Sequence, residues 1–594
     1  MNHLLAIAVG PVQEFIAAAR RTRDLWFGSF LLSEISKAVA KSVKEQGGEL
    51  IFPHPDTDLT SGDDRVNVAN VILAELPAGD PKEVAAKAKL AAQKRWSDFA
   101  DEAYEEASRV IRPEVWNEQV DDVIEFYAAW VLATSDYKTD CQKLMRLLAG
   151  RKNLRDFQPA PGTDQGLPKS SLDGQRPTVL QRRTRFPSQY RIREGEQLDV
   201  VGLVKRVAGG SRPYPSVSRV AADPWVRGNQ GKSAFEELKT VCTELPNRVL
   251  HRLDSDRFSH FQAFPFEGTA IYLSRHHEWE EEIDEEDRLS ISDIQDALEL
   301  LSEPNPYLAV LVADGDKMGA AISSLPDAEA NRTFSRSLAE FAGEARKIVN
   351  NHNGVLVYAG GDDVLAFLPV DKCLSCARAL WEKFSECLKT QVPNDTPTLS
   401  VGIAIGHFME NLEDLLQYGR DAEKAAKHPD RNGLAVHLHK RGGAPIGVRA
   451  RWSDNPDHRL ERFANLMNEG IIPTKLPYEL QAMARLYKPW EKEPSQLLID
   501  AIKEGSGAGP LSTDRTAALR EYISKAIQQD LYRLIAKKTS RGVGTVRQAL
   551  SEFIKEINSD KLMTLASELL IARQIATALR QAAGRSIAAE EVTS

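Results

Sequence analysis

Two apolar runs, each ending in acidic residues, constrain this chain more than anything else in it. YLAVLVADGD (307–316) is a strand-like run that closes on Asp314 and Asp316. GVLVYAGGDDVLAFLPV (354–370) is apolar, then Gly-Gly-Asp-Asp, then apolar again. It reads as a β-hairpin with Gly360, Gly361, Asp362 and Asp363 at its tip. A helical stretch to about Asn350 separates the two runs. After them come a helix over 371–390, a strand at TLSVGIAIGH (398–407), a helix at NLEDLLQYGRDAEKAAK (411–427) and a last strand at GLAVHLHK (433–440). The order opens β-α-β-β-α-β, that of a ferredoxin-like unit, with one further αβ step. In such a sheet the first strand and the hairpin pair side by side, so their carboxylates meet at one edge.

Carboxylates that close repel, and one of them keeps its proton unless a cation sits among them. An all-oxygen ligand set favours a hard divalent ion, Mg2+ or Mn2+. Two such ions about 3.5–4 Å apart would clamp the attacking and leaving oxygens of a phosphoryl transfer. Gly360 and Gly361 lack a Cβ, which lets a phosphate approach the backbone. Ser400, in the SVG of 400–402, lies on the following strand. Lys427 and Arg431 come after the 411–427 helix and suit the charge of a triphosphate. Alone, Gly-Gly-Asp-Asp would be an ordinary turn; the upstream DGD and the downstream basic pair argue for a site. Asp314 and Asp316 are two apart and would share a face of a continuing strand. Gly315 predicts that the strand stops there, so a solvated turn suits Asp316 equally well.

The first 150 residues repeat the pattern. HLLAIAV (3–9) is a core strand, followed by a turn at Gly10-Pro11 and an amphipathic helix from about Val12 to Glu45. ELIFP (49–53) and NVILAEL (70–76) are strands, and a charged, Ala-rich helix covers about 81–112. VIEFYAAWVLA (123–133) fits a strand or a buried helix, and periodicity does not separate them. From 151 to 304 the chain turns loop-rich, then helical and mixed. It carries an arginine-rich stretch from Gln181 to Arg193 with Phe186 and Tyr190 interleaved, suited to RNA phosphates and bases or to a solvated loop. The acidic run at 278–287 reads as a solvated helix face or linker. The second unit occupies 305–443. Beyond Arg441-Gly442-Gly443 no strand is expected, and 444–594 reads as all-α. The fold class is α+β: two ferredoxin-like units, a helical and irregular middle and a helical C-terminal part.

Composition excludes the disordered, collagen-like and disulfide-framework classes, with 42% hydrophobic and 27% charged residues in 594. The net charge of −9 leaves nucleic-acid contact to local basic patches. Five scattered cysteines read as buried thiols; Cys373, Cys376 and Cys387 fall within one helical pattern. The N-terminal run lacks a basic leader segment and reads as a buried strand, and no apolar stretch approaches a membrane span. A cytoplasmic protein with no membrane contact is expected.

LVADGDKMG, YAGGDDVLAF, SVGIAIG and AK-x-x-x-RN together resemble the polymerase/cyclase palm shared with diguanylate cyclases. There the two residues after Gly-Gly-Asp are usually Glu and Phe; here they are Asp363 and Val364. A nearer resemblance is to the large subunit of type III CRISPR RNA-guided complexes, in its Cmr-type (III-B) form. GPVQEFI (Gly10–Ile16), the ARRTRDLW run from Ala19 to Trp26 followed by Gly28-Ser29, PKSSLDGQR (168–176) and HLHKRGG (437–443) belong to it. It covers about 1–443; the C-terminal helices agree only in type.

The resemblance implies a degenerate first palm and a metal-bearing second palm, with ATP between them. By position it makes Asp314, the Gly315 carbonyl, Asp362 and Asp363 metal ligands, with Asp316 a weaker one. Asp362 and Asp363 would be catalytic, and Gly360, Gly361, Ser400, Lys427 and Arg431 nucleotide-binding. It implies polymerisation of ATP into cyclic oligoadenylates once target RNA pairs with guide RNA, in a complex with other subunits. Many members begin with an HD nuclease domain. This chain contains no His-Asp dipeptide, so DNase activity is not expected of it. Members often carry a cysteine zinc site between the palms; here only Cys242 follows Cys141, and no zinc is expected. A scaffold subunit with a silent palm, or a palm enzyme making another adenylate or a cyclic dinucleotide, are the competing readings.

Overall fold

The computed structural model describes residues 2–62, 64, 66–154, 166–181, 186, 190–193, 195–210, 213–247, 249–276, 285–389, 396–492, 513–538, 543–550 and 557–585. Among these residues are two sheets. The first comprises β1 (His3–Gly10), β2 (Glu49–Phe52), β3 (Val71–Leu76) and β4 (Glu125–Leu132), in the order β2-β3-β1-β4, with every neighbour antiparallel. The second comprises β5 (Tyr307–Gly315), β6 (Val355–Gly360), β7 (Asp363–Leu368), β8 (Leu399–His407), β9 (Gly433–Leu438) and β10 (Ile446–Arg451). Its order is β10-β9-β8-β5-β7-β6, with β8 and β9 parallel and the rest antiparallel. The run β8-β5-β7-β6 repeats β4-β1-β3-β2, so the same topology occurs twice.

The 123–133 run is a strand. It is an edge strand whose Trp130 and Leu132 stay exposed, so the uninterrupted apolar text reflects neither full burial nor a helix. β1, by contrast, is buried on both faces. Leu5, Ile7 and Val9 join the core under the long helices, and Leu4, Ala6 and Ala8 pack on the opposite side with Leu144 and Leu148.

Several expected elements differ in detail. The helix expected over 12–45 is two helices, Gln13–Ala17 and Thr22–Glu45. Buried Lys205 donates to the Phe15 and Ala18 carbonyls, which a continuous helix would have used itself. The 81–112 helix is capped by the Asp80 carboxylate on the Lys82 amide and stops at Ala107. A new helix starts at Pro113, whose ring disfavours helical geometry at Arg112. The segment after β5 is also two helices, Met318–Ser324 and Ala328–Asn351, parted at Pro326 and restarted by the Asp327 cap. β10 contradicts the expectation of no strand beyond residue 443. Its sequence, IGVRAR, carries two arginines and half-exposed side chains, the chemistry of a sheet edge rather than of an apolar run.

The two units are held together by half-buried polar contacts. Arg332, on the Ala328–Asn351 helix, donates to Glu75 at 2.6 Å and to the Leu50 carbonyl at 3.1 Å. Asp64, between β2 and β3, accepts from Trp26 Nε1 at 3.1 Å and from Arg257, while its carbonyl accepts from Arg346 at 2.7 Å. The ARRTRDLW run therefore serves packing. Arg23 donates to the Ala208 carbonyl at 2.8 Å, Asp24 pairs with Arg206 at 2.7 Å, and Trp26 holds Asp64.

The C-terminal part is helical, as expected. Its Ser559–Ala582 helix is long and apolar enough to cross a membrane by length and composition, which corrects the expectation that no such stretch exists; 61% of its apolar window is buried inside the protein. It packs on β10 and on the helices Asp223–Asn229, Pro456–Asn468 and Leu476–Lys492.

Of the arginine-rich stretch, Arg182, Arg183, Thr184 and Arg185 lie outside the described residues. Tyr190 is not available to stack on a base: it is buried, with its hydroxyl donating to Glu106 at 2.8 Å. Phe186 packs against the core. Within the acidic run, 278–284 lie outside the described residues, and a helix begins at Glu285. All five cysteines are unpaired thiols, four of them buried and Cys387 half-buried.

Candidate metal and nucleotide site

β5 and the β6–β7 hairpin are neighbours through the β5–β7 pairing. Asp314 precedes the last residue of β5, and Asp362 and Asp363 sit at the hairpin tip. The three carboxylates offer oxygens that all lie within 4.8 Å of one another. Gly315 is where the strand stops. A Cβ there would lie 2.8 Å from Asp362 Cβ and Oδ2, and the Gly315 backbone hydrogen-bonds the Asp362 carboxylate. Gly361 adopts φ +70° with open space beside it, as a left-handed turn open to a ligand requires. Gly360 has another reason to be glycine: a Cβ there would fall 2.0 Å from the Tyr358 hydroxyl.

The electrostatics are those of a crowded acidic site. Burial, then the charge of Asp314, raises Asp362 to about 7. Asp363 keeps open surface toward the cleft, yet the protein packed behind its carboxylate desolvates it. That desolvation, a hydrogen bond shared with Asp314 and the Asp362 charge hold it well above the usual carboxylate range. Such a cluster stays fully ionised only with compensating positive charge. Its hard oxygen donors, close together and starved of cations, fit Mg2+ or Mn2+.

Lys427 supplies part of that charge. It ends the Leu412–Lys427 helix and pairs with Asp314 and, at 2.7 Å, with Glu423. Burial alone would lower its pKa, but the two carboxylates outweigh burial and keep it above the ordinary lysine value. Arg431 follows in a left-handed turn, exposed, at φ +60°.

Two expected ligands lie elsewhere. Asp316 is buried, at 3% exposure, and neither joins the acidic cluster nor faces solvent. Its carboxylate accepts from Thr398 Oγ1 at 2.7 Å, Ser400 Oγ at 2.9 Å and the Asn432 amide at 3.0 Å. Once the strand ends at Gly315, Asp316 turns inward under β8. Ser400, expected at the nucleotide, is fully buried and donates to Asp316 instead. These two residues tie the Arg431–Asn432 turn to the end of β5 and so fix where Lys427 stands relative to Asp314.

A cavity of about 600 Å3 opens on the hairpin tip. One wall is the first unit's segment around His54, Asn67 and Asn70; the other is the Ala328–Asn351 helix with Ser335 and Arg346. The first-unit residues were not legible as site residues in the sequence, because polar residues in a long β2–β3 connection look like any loop.

Two sheets of repeated topology, one bearing three converging carboxylates at its strand ends, define an α+β protein with an acidic site on its second sheet. Residues 307–435 match the family described as Cas10/Cmr2, second palm domain, and residues 4–101 match the CRISPR-associated protein Cmr2 N-terminal domain. These matches assign residues 4–101 and 307–435 to the Cas10/Cmr2 family. The chain is 35% identical over 201 residues to the CRISPR system Cmr subunit Cmr2 of Pyrococcus furiosus, covering 29% of this chain and 23% of that relative. The chain thus matches less than a quarter of that relative's length. Its fold is similar to a chain of a type III-B Cmr-β complex in the apo state, at TM-score 0.59, 14% identity, 86% of this chain and 78% of that one. It is likewise similar to one in a Cmr-β complex bound to cognate target RNA, at TM-score 0.62, 14% identity, 97% and 83%.

Proposed function

We propose that this chain is the signal-generating subunit of a type III-B CRISPR effector complex, making cyclic oligoadenylates from ATP when target RNA pairs with guide RNA. The observation that carries the reading is the convergence of Asp314, Asp362 and Asp363 beside Lys427, at the mouth of a cavity between two palms. In the reaction a ribose 3′-hydroxyl attacks the α-phosphate of the next ATP, a 3′–5′ phosphodiester forms and pyrophosphate leaves. Asp314, Asp362, Asp363 and the Gly315 carbonyl would hold Mg2+ or Mn2+, which supplies a lowered hydroxyl pKa and charge neutralisation at phosphate. The protein's own part is positioning and electrostatics. Gly361 admits a phosphate, Lys427 and Arg431 bind the triphosphate, and the cavity takes a nucleotide away from bulk water. No side chain is placed as a general base.

The test is to incubate the assembled complex with ATP, Mg2+ and cognate target RNA and to identify products by mass spectrometry. Asp362→Ala with Asp363→Ala should abolish product and leave assembly and RNA binding intact. A wild-type complex that binds RNA but yields no product would favour the scaffold reading. A linear or mixed-base product would favour a different palm enzyme.

A further inference from the structure

A divalent ion and the Lys427 ammonium compete for one carboxylate. Lys427 Nζ pairs directly with Asp314 Oδ2, one of the three converging groups, and Glu423 braces it from one helical turn back. The Lys427 and Asp314 side chains are each 30% exposed, so the pair is partly open to solvent rather than sealed in the core. Lys427 is the last residue of its helix, and its four-carbon stem is free to swing without disturbing the fold. An ammonium on Asp314 excludes a divalent ion by occupancy and by charge.

We propose that Lys427 is an internal counter-cation, holding Asp314 until a divalent ion displaces it and a triphosphate receives it. The proposal rests on the functional reading above and adds a regulatory consequence. The ion alone must evict a paired lysine. The triphosphate alone must draw that lysine from its carboxylate. Together, the ion takes Asp314 and the phosphates take Lys427. Ion and nucleotide therefore bind with positive coupling, each raising the affinity for the other by the same factor. A resting site is thereby kept from filling with metal alone.

The probe is Mn2+ without nucleotide, titrated into the full chain at low ionic strength and read from the signal of free Mn2+. Lys427→Gln should bind Mn2+ about three- to tenfold more tightly than wild type, the worth of one partly exposed ion pair. That change alone could reflect relief of through-space repulsion. The second readout is therefore acetylation of Lys427 in the wild-type chain, followed by peptide mass spectrometry. Mn2+ should increase it severalfold by freeing the ammonium, and Mn2+ with a non-hydrolysable ATP analogue should suppress it again. Unchanged Mn2+ affinity in Lys427→Gln, or Lys427 acetylation indifferent to Mn2+, overturns the counter-cation while leaving the metal site standing. Wild-type chain that binds no Mn2+, or Mn2+ binding that survives Asp362→Ala with Asp363→Ala, removes the functional reading and this inference together.

Discussion

Replacing Asp316 by alanine should unfold the base of the site without touching its three converging carboxylates. The Asp316 carboxylate accepts from two hydroxyls and one amide, all within 3.0 Å and all enclosed by β8 and the Arg431–Asn432 turn. The Asp316 amide in turn donates to the Thr398 carbonyl at 2.7 Å. A hydrogen bond to a charged group is worth about 1.5–3 kcal/mol, and a buried donor left unmade costs about 1–3 kcal/mol. Three donors lose their acceptor together, and some of that cost is recovered by water entering the space. A net loss of about 3–5 kcal/mol follows, in the upper tail for single substitutions. Asp316→Asn keeps the shape and one acceptor oxygen but turns an NH2 toward a donor, so it should fall between. Urea unfolding gives the stability, hydrogen exchange of the 398–402 and 431–435 segments locates the loss, and a Mn2+ titration under folding conditions reads the cluster. If Asp316→Ala were as stable as wild type and lost Mn2+ binding, Asp316 would be a metal ligand and the hydrogen-bond reasoning would be wrong.

Gly315→Ala should weaken Mn2+ binding by tenfold or more with little change in overall fold, because the new methyl meets Asp362 at 2.8 Å; equal Mn2+ affinity in a titration would refute this. Arg206→Leu should cost about 3–5 kcal/mol in urea unfolding, since it strands two buried carboxylates, Asp24 and Glu196, that now lie 2.7 and 3.2 Å from the guanidinium. Metal-free protein should lose stability as pH rises toward and through about 7. Asp362 is raised in the fold from 3.8 to about 7, so the folded state binds the extra proton and that contribution is complete only below the unfolded value. Thermal unfolding in EDTA from pH 5 to 8 reads this directly, and both Mn2+ and Asp362→Asn should flatten the profile.

The architecture was legible because both units write their strands as apolar runs bounded by turn chemistry. YLAVLVADGD and GVLVYAGGDD became β5 and β6 within a residue or two, and the carboxylates met where the hairpin placed them. What sequence pattern hid was of two kinds. Edge strands hid because their composition answers to solvent on one side: β10 carries arginines, and β4 reads as apolar after Glu125 although Trp130 and Leu132 stay exposed. Helix breaks hid because the cause was remote. Nothing local to Ala18 announces that Lys205, 187 residues on, takes its carbonyl.

The same distinction separates the acidic residues that converge from the one that does not. Asp314, Asp362 and Asp363 converge on one another, with Lys427 and the Gly315 backbone beside them. Asp316 is just as acidic and stands two residues from Asp314, but β5 ends at Gly315, so the chain turns its carboxylate inward to meet Ser400 beneath β8. There they satisfy each other and the Asn432 amide. A carboxylate that already accepts from three protein donors has little capacity left for a cation, whereas one whose nearest neighbours are two more carboxylates has little else to bind. Hydrogen-bond satisfaction thus divides this DGD into a member of the acidic cluster and a brace, and only the pairing of β5 with β8 reveals which aspartate is which.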